Sequence, residues 1–219
     1  MHSTSMQRGK FFTFEGSEGC GKSTQIQRFV SMLESAGIEV LQTREPGGTP
    51  AGEKIRQLLQ FDADAADLTD ESELLLFAAS RAQLVRKMIE PALEAGKWVV
   101  ADRFFDSTTV YQGVGRGLDV GAVKEINAFA VGGTVPDLTF LLDLDVEIGH
   151  SRAVAASGEV EDRMESNPLE FFESVRQGYL RLAEEDPGRI VVIDASASID
   201  EVTEEINLVF SQRVGALTA

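Results

Sequence analysis

The sequence predicts an α/β protein: one open, five-stranded parallel sheet with helices on both faces. Three observations lead there. Apolar runs of strand length alternate with helical-period segments along most of the chain. Two of those runs, WVVA at 98–101 and LTFLLDL at 138–144, are almost continuously apolar, as parallel strands buried on both faces tend to be. A β-prone run, KFFTFE at 10–15, also feeds a glycine-rich loop that opens a helix.

Taken in order, residues 10–15 are the first strand, and a helical pattern runs from about 22 to 36. Gly37 stands where a helix C-cap glycine would, and residues 38–43 read as a second strand. The segment REPGGT at 44–49 is a loop by its proline and glycines. Apolar residues recur at helical spacing over 51–60 and 71–95, with Leu74, Phe77, Ala78 and Arg81 on one face. A third strand at 98–101, a helix at 120–131 and a fourth strand at 138–144 follow. Then come a helix at 146–156, a polar irregular stretch at 157–168, a helix at 169–185, a fifth strand at 189–194 and a closing helix at 199–214. Right-handed crossovers make this one sheet. The expected organisation is a polar tail over residues 1–9 and a single domain over 10–214.

A chain of 219 residues with 43 % hydrophobic content can build a sizeable core. The formal net charge of −16 argues against nucleic acid and anionic membrane as partners, since both demand clustered Lys and Arg. It would repel a nucleotide too, so any phosphate site must be a local exception built from backbone amides and a few placed cations. Cys20 is the only cysteine, which excludes an intrachain disulfide or a thiolate metal cluster and fits a reducing cytoplasm. The first eight residues lack the apolar segment of a secretory signal, and no run reaches membrane-spanning length.

Gly16, Ser17, Glu18, Gly19, Cys20, Gly21, Lys22 and Ser23 read GSEGCGKS, the full phosphate-binding G-x-x-x-x-G-K-[ST] pattern, placed between a strand and a helix. Such a loop turns backbone N–H groups inward around nucleotide phosphates and adds the positive end of the helix. Lys22 is expected to bridge the β- and γ-phosphates of ATP and Ser23 to ligate Mg²⁺, with Thr24 completing the loop. The pattern alone implies only nucleotide binding, because unrelated activities share it. Cys20 has no partner thiol for a redox switch and reads more simply as a small residue tolerated within the loop.

Five motifs then occur in a fixed order: FEGSEGCGKST at 14–24, TREPGGT at 43–49, LLLFAASRAQ at 74–83, DRFFDSTTVYQG at 102–113 and PDLTFLLD at 136–143. On these the chain resembles the bacterial thymidylate kinases, over about 10–210. The resemblance implies a P-loop kinase fold with a mobile lid at about 150–168, dTMP as acceptor and a homodimer. It also implies roles for particular residues. Phe77 stacks on thymine and Arg81, one helical turn later, hydrogen-bonds its carbonyl; a flat apolar ring beside a fixed donor fork suits a pyrimidine. Asp102 supports Mg²⁺, and Arg103 holds the acceptor phosphate at the carboxyl end of a strand, where open α/β sheets bind ligands. Thr108 and Gln112 read the base edge. Tyr111 crowds the 2′ position, although on its own it reads equally well as a packed aromatic. Glu18 approaches the 3′-hydroxyl, a placement that needs a compensating cation so close to a triphosphate. Arg56 contacts the acceptor phosphate, and Glu45 is a weaker candidate for sugar or water contacts.

The lid segment departs from the family pattern, carrying only Arg152 and Arg163. Arg163 is the better match for a catalytic arginine, Arg152 is expected on the ATP phosphates, and Arg176 on the next helix is a further contributor. The implied reaction is ATP·Mg²⁺ plus dTMP giving ADP plus dTDP. A kinase for another nucleotide, or a P-loop regulatory ATPase, are the competing readings. The second would need a water-activating residue and a partner surface, neither of which the sequence signals.

Overall fold

The computed structural model describes residues 8–62, 65, 67–156 and 167–215. Its sheet has five strands in the order β2-β3-β1-β4-β5: β1 Phe11–Glu15, β2 Val40–Arg44, β3 Trp98–Asp102, β4 Leu138–Asp143 and β5 Ile190–Asp194. Every pairing is parallel. β1 lies at the centre and is buried along its whole length, because Phe12 and Phe14 point into one apolar cluster and Phe11 into another on the opposite face. That is the alternation of a strand covered by helices on both sides.

The helices are α1 Lys22–Ser35, α2 Pro50–Phe61, α3 Asp70–Leu84, α4 Glu90–Glu94, α5 Phe105–Thr108, α6 Val120–Val131, α7 Val146–Ala156, α8 Leu169–Glu185 and α9 Ile199–Val214. Their ends carry the expected local chemistry. Thr49 caps α2 by accepting from the Gly52 amide, with Pro50 in the first turn. Ser198 and Glu201 close a reciprocal capping box on α9. Gly37, at φ 79°, ends α1 as its position in sequence suggests.

Two segments differ from the sequence reading. The helix expected over 71–95 is a single path interrupted by a π turn at Val85–Ile89, where the Glu90 amide donates five residues back to Val85. Pro91 explains the interruption, since it supplies no N–H to continue regular bonding. The DRFFDSTTVYQG motif, for which the sequence suggests no element, folds as α5 continued by a second π turn, Thr109–Gly115. Buried Phe104 at its entry packs edge-on against Phe11 of β1, anchoring the motif over the sheet.

The carboxyl ends of β1, β2 and β3 carry Glu15, Arg44 and Asp102, and the register sets Phe14 beside Asp102 and Arg44 beside Asp102 on its other side. The loops following these three strands therefore open onto one crevice.

Candidate active site

That crevice is a cleft of about 580 Å³, within the range that binds nucleotide-sized ligands. Among its lining residues are Lys22, Arg44, Arg56, Arg81, Arg103 and Arg152 against Glu18, Glu45 and Asp102. Six cations against three carboxylates make it a basic island in a chain of net charge −16, the local exception that phosphate binding requires.

One wall is the phosphate loop. Gly19 stands at φ 69°, and a Cβ there would collide with the backbone of Gly149 on α7; glycine at this position lets the loop and α7 touch. The Lys22 ammonium donates to the carbonyl oxygens of Gly16 at 3.0 Å and Ser17 at 2.8 Å, which hold it at the loop mouth. Ser23 and Thr24 are exposed at the start of α1 and line the cleft with Glu18, Gly19 and Gly21. Buried Cys20 sits behind the loop, its Sγ 3.5 Å from the Lys22 Nζ.

Glu18 is compensated from across the cleft. The Arg103 guanidinium donates to its carboxylate at 2.9 Å, and the Tyr111 hydroxyl lies 2.8 and 2.9 Å from its two oxygens. Burial, reinforced by Glu18 and opposed by Arg103, pushes the Tyr111 phenol well above its ordinary range, so it stays protonated and donates. Arg103 sits on the β3 exit at φ 66°, the one non-glycine residue with positive φ among the described residues. Asp102, next to it, presents a buried Oδ1 with no hydrogen-bond partner.

The other wall is a buried polar network on Arg81, whose side chain is 1 % exposed. Its Nε donates to Glu45 at 2.7 Å, Nη1 to Asn127 at 2.8 Å and Nη2 to Thr108 at 2.8 Å. Phe77, a turn earlier on α3, lines the cleft beside it. Burial raises the pKa of Glu45 while Arg81 opposes the shift, and Glu45 Oε1 is buried without a partner. Gln112 commits its amide nitrogen to Glu73 at 2.9 Å, and its side-chain carbonyl oxygen remains available to accept. Arg56 donates to the Pro46 carbonyl at 3.2 Å.

The match to the thymidylate kinase family model spans residues 14–206, which covers both walls. The chain belongs to the thymidylate kinase family. It is 47 % identical over 209 residues to the thymidylate kinase of Maridesulfovibrio salexigens, covering 93 % of this chain and 96 % of that one. It is 50 % identical over 201 residues to that of Solidesulfovibrio magneticus, covering 90 % and 96 %. The crystal structure of thymidylate kinase from Ehrlichia chaffeensis superposes with a TM-score of 0.75 at 35 % identity, covering 93 % of this chain and 99 % of that one. The five-stranded parallel P-loop kinase fold expected from the sequence is thus the observed one.

Of the residues that the thymidylate kinase motifs single out, the cleft brings together Glu18, Gly19, Gly21, Lys22, Ser23, Thr24, Glu45, Arg56, Phe77, Arg81, Asp102, Arg103, Thr108, Tyr111, Gln112 and Arg152. Gly16, Ser17 and Cys20 shape the loop behind it. Arg163 lies outside the described residues. Arg176 is held bidentate by Asp143 at 2.7 and 2.9 Å, away from the cleft lining. Sequence reasoning missed Arg44, Gln60 and Ser107 on the cleft wall, and missed Glu15 and Tyr179 behind it. The signal for Glu15 was present: a carboxylate ending an otherwise apolar central strand needs partners.

Proposed function

We propose that this chain transfers the γ-phosphoryl group of ATP to dTMP, giving ADP and dTDP, by in-line attack of an acceptor phosphate oxygen. The observation that carries this reading is the pairing, across one cleft, of a phosphate loop with the Phe77 and Arg81 wall, in a member of the thymidylate kinase family. Lys22 and the loop amides take the ATP phosphates, joined by Arg152 on α7. Phe77 supplies the flat apolar surface for thymine. Arg81, with five N–H groups, spends most of them on Glu45, Asn127 and Thr108 and keeps one on Nη1 for a base carbonyl. Thr108 accepts from Arg81, so its own proton is left for the base, and Gln112 offers an acceptor to the imide N–H. Glu18 and Tyr111 meet the sugar, while Arg56 and Arg103 meet the acceptor phosphate. Glu45, with an unpartnered oxygen, takes a sugar or water contact. The attacking oxygen is already anionic, so the chemistry needs positioning and charge neutralisation and no general base.

Asp102 and Ser23 fit a Mg²⁺ site. A buried carboxylate oxygen lacking a hydrogen bond and a hydroxyl in the same cleft form the sparse ligand set this ion takes, its remaining ligands being phosphates and water. Mg²⁺ bound there would neutralise charge on the β- and γ-phosphates. Arg163 retains its assignment as the arginine that meets the transferring group, with 150–168 as the lid. No helix among the described residues is long and apolar enough to cross a membrane; the single buried cysteine fits a cytoplasmic setting. Phe129 on α6, 86 % exposed, and Leu75 on α3, 55 % exposed, support a homodimer through the α3–α6 layer.

The test is ATP consumption by the purified protein with and without dTMP. A kinase consumes ATP in proportion to dTMP supplied and makes one dTDP for each ADP. Turnover that ignores dTMP would identify a regulatory ATPase instead.

A further inference from the structure

Behind Arg103 lies a cluster of three oxygen-bearing side chains that the proposed reaction does not employ. Glu15 ends β1 with its carboxylate 1 % exposed. Its Oε1 accepts from the Phe104 amide at 2.7 Å, and its Oε2 accepts from the Ser107 hydroxyl at 2.6 Å and the Tyr179 hydroxyl at 2.8 Å. Those hydroxyls lie 2.7 Å apart, and the Arg103 Nη1 donates to both at 3.2 Å. A hydroxyl has one hydrogen and can accept on the rest of its oxygen. At least one of the two hydroxyl hydrogens goes to Glu15 and the other to Glu15 or to the neighbouring hydroxyl, so both oxygens keep a lone pair for the guanidinium. The other end of Arg103 is fixed on Glu18, and its backbone, at positive φ, donates its N–H to the Phe14 carbonyl at 3.0 Å. A non-glycine residue keeps such a conformation only where its surroundings over-determine it.

We propose that Glu15, acting through the hydroxyls of Ser107 and Tyr179, is a positioning residue that aims the Arg103 guanidinium at the acceptor phosphate. This rests on the reading that Arg103 serves phosphoryl transfer. Misplacement of such a group by about 1 Å costs around 10²-fold in rate, so a shelf of fixed lone pairs has a kinetic role distinct from stability.

Glu15→Gln is the sharpest variant. The Phe104 amide still needs an acceptor, so the glutamine carbonyl must take the Oε1 place and its NH₂ the Oε2 place. The NH₂ then donates to the hydroxyls and competes with Arg103 for their lone pairs. Tyr179→Phe removes one lone-pair partner while keeping the ring packed among Tyr111 and its neighbours. Both variants are expected to lower kcat about 10- to 100-fold with the KM for ATP within about twofold, measured at a temperature where each is fully folded. In an Arg103→Ala background neither should lower kcat further, because the group they aim is gone. Wild-type kcat in both variants, or losses that multiply with that of Arg103→Ala, would overturn the inference while leaving the role of Arg103 intact. Arg103→Ala at wild-type rates would instead remove the reading on which the inference stands. Should Glu15→Gln fail to fold, Tyr179→Phe and Ser107→Ala decide by the same criteria.

Discussion

In the proposed function, the eight consecutive residues of the phosphate loop act mainly through backbone amides and one exposed helix start. Across the cleft, Glu45, Arg81, Thr108 and Asn127 come from four separate segments and act through buried side chains. The difference is one of cost. The loop exposes its functional groups to water, so removing one disturbs the ligand more than the fold. The acceptor wall desolvates a guanidinium and a carboxylate together, and a buried pair is tolerated only while every partner is present. Donor binding and acceptor recognition should therefore respond differently to mutation, the first in rate alone and the second in rate and stability together.

The largest effect is expected on the loop. Lys22→Ala should lower kcat by about 10²- to 10³-fold, the range for losing a preorganised charge-stabilising donor, with the thermal midpoint unchanged. Steady-state kinetics and a melting curve on the same preparation check both halves. Near-wild-type turnover would erase the loop's side of the comparison.

Next, Arg81→Ala leaves Glu45 buried and unpaired and strips partners from Asn127 and Thr108. Denaturant unfolding should show a loss of about 3 to 5 kcal/mol, alongside weakened dTMP binding and little change in ATP affinity. A loss below about 1 kcal/mol would mean that the pair behaves like an exposed one.

A smaller and pH-dependent effect belongs to Glu15. Burial, with Asp106 adding to it and Arg103 opposing, raises its carboxyl from 4.5 to about 7. Below about 4.5 the group is protonated in folded and unfolded chains alike and contributes nothing to the pH dependence. As pH rises toward 7 the unfolded chain ionises first, so folding stability falls; above 7 the loss is complete. At about 1.4 kcal/mol per unit, Glu15→Gln should gain roughly 3 kcal/mol over the wild type between acid and pH 8. A stability difference between the two that is flat with pH would contradict this environment for Glu15.

What could be read from the sequence follows the same division. The strands, most helix spans and the loop were legible because they are contiguous: periodicity gives the element, and GSEGCGKS gives the chemistry. The residues proposed for the acceptor could be named only by resemblance, since nothing in the spacing of Glu45, Arg81 and Thr108 says that they meet. Glu15, Ser107 and Tyr179 escaped because they bond to one another and, through the two hydroxyls, to Arg103, and lie 72 to 164 residues from one another in the pairs that bond. The π turn that carries Tyr111 and Gln112 escaped for a different reason, as its i to i−5 bonding has no sequence period of its own.

Acceptor choice tests the proposed function most directly. Phosphoryl transfer from ATP should be measured across dTMP, dUMP, UMP, CMP, AMP, dGMP and the ribo analogue of dTMP, at matched concentrations with the wild-type protein. The Phe77 and Arg81 wall, with Tyr111 and Glu18 against the sugar, predicts the highest kcat/KM for dTMP, a lower value for its ribo analogue and the weakest transfer to the purines. Equal use of the pyrimidine and purine acceptors, or a preference for any nucleotide over dTMP, would contradict it.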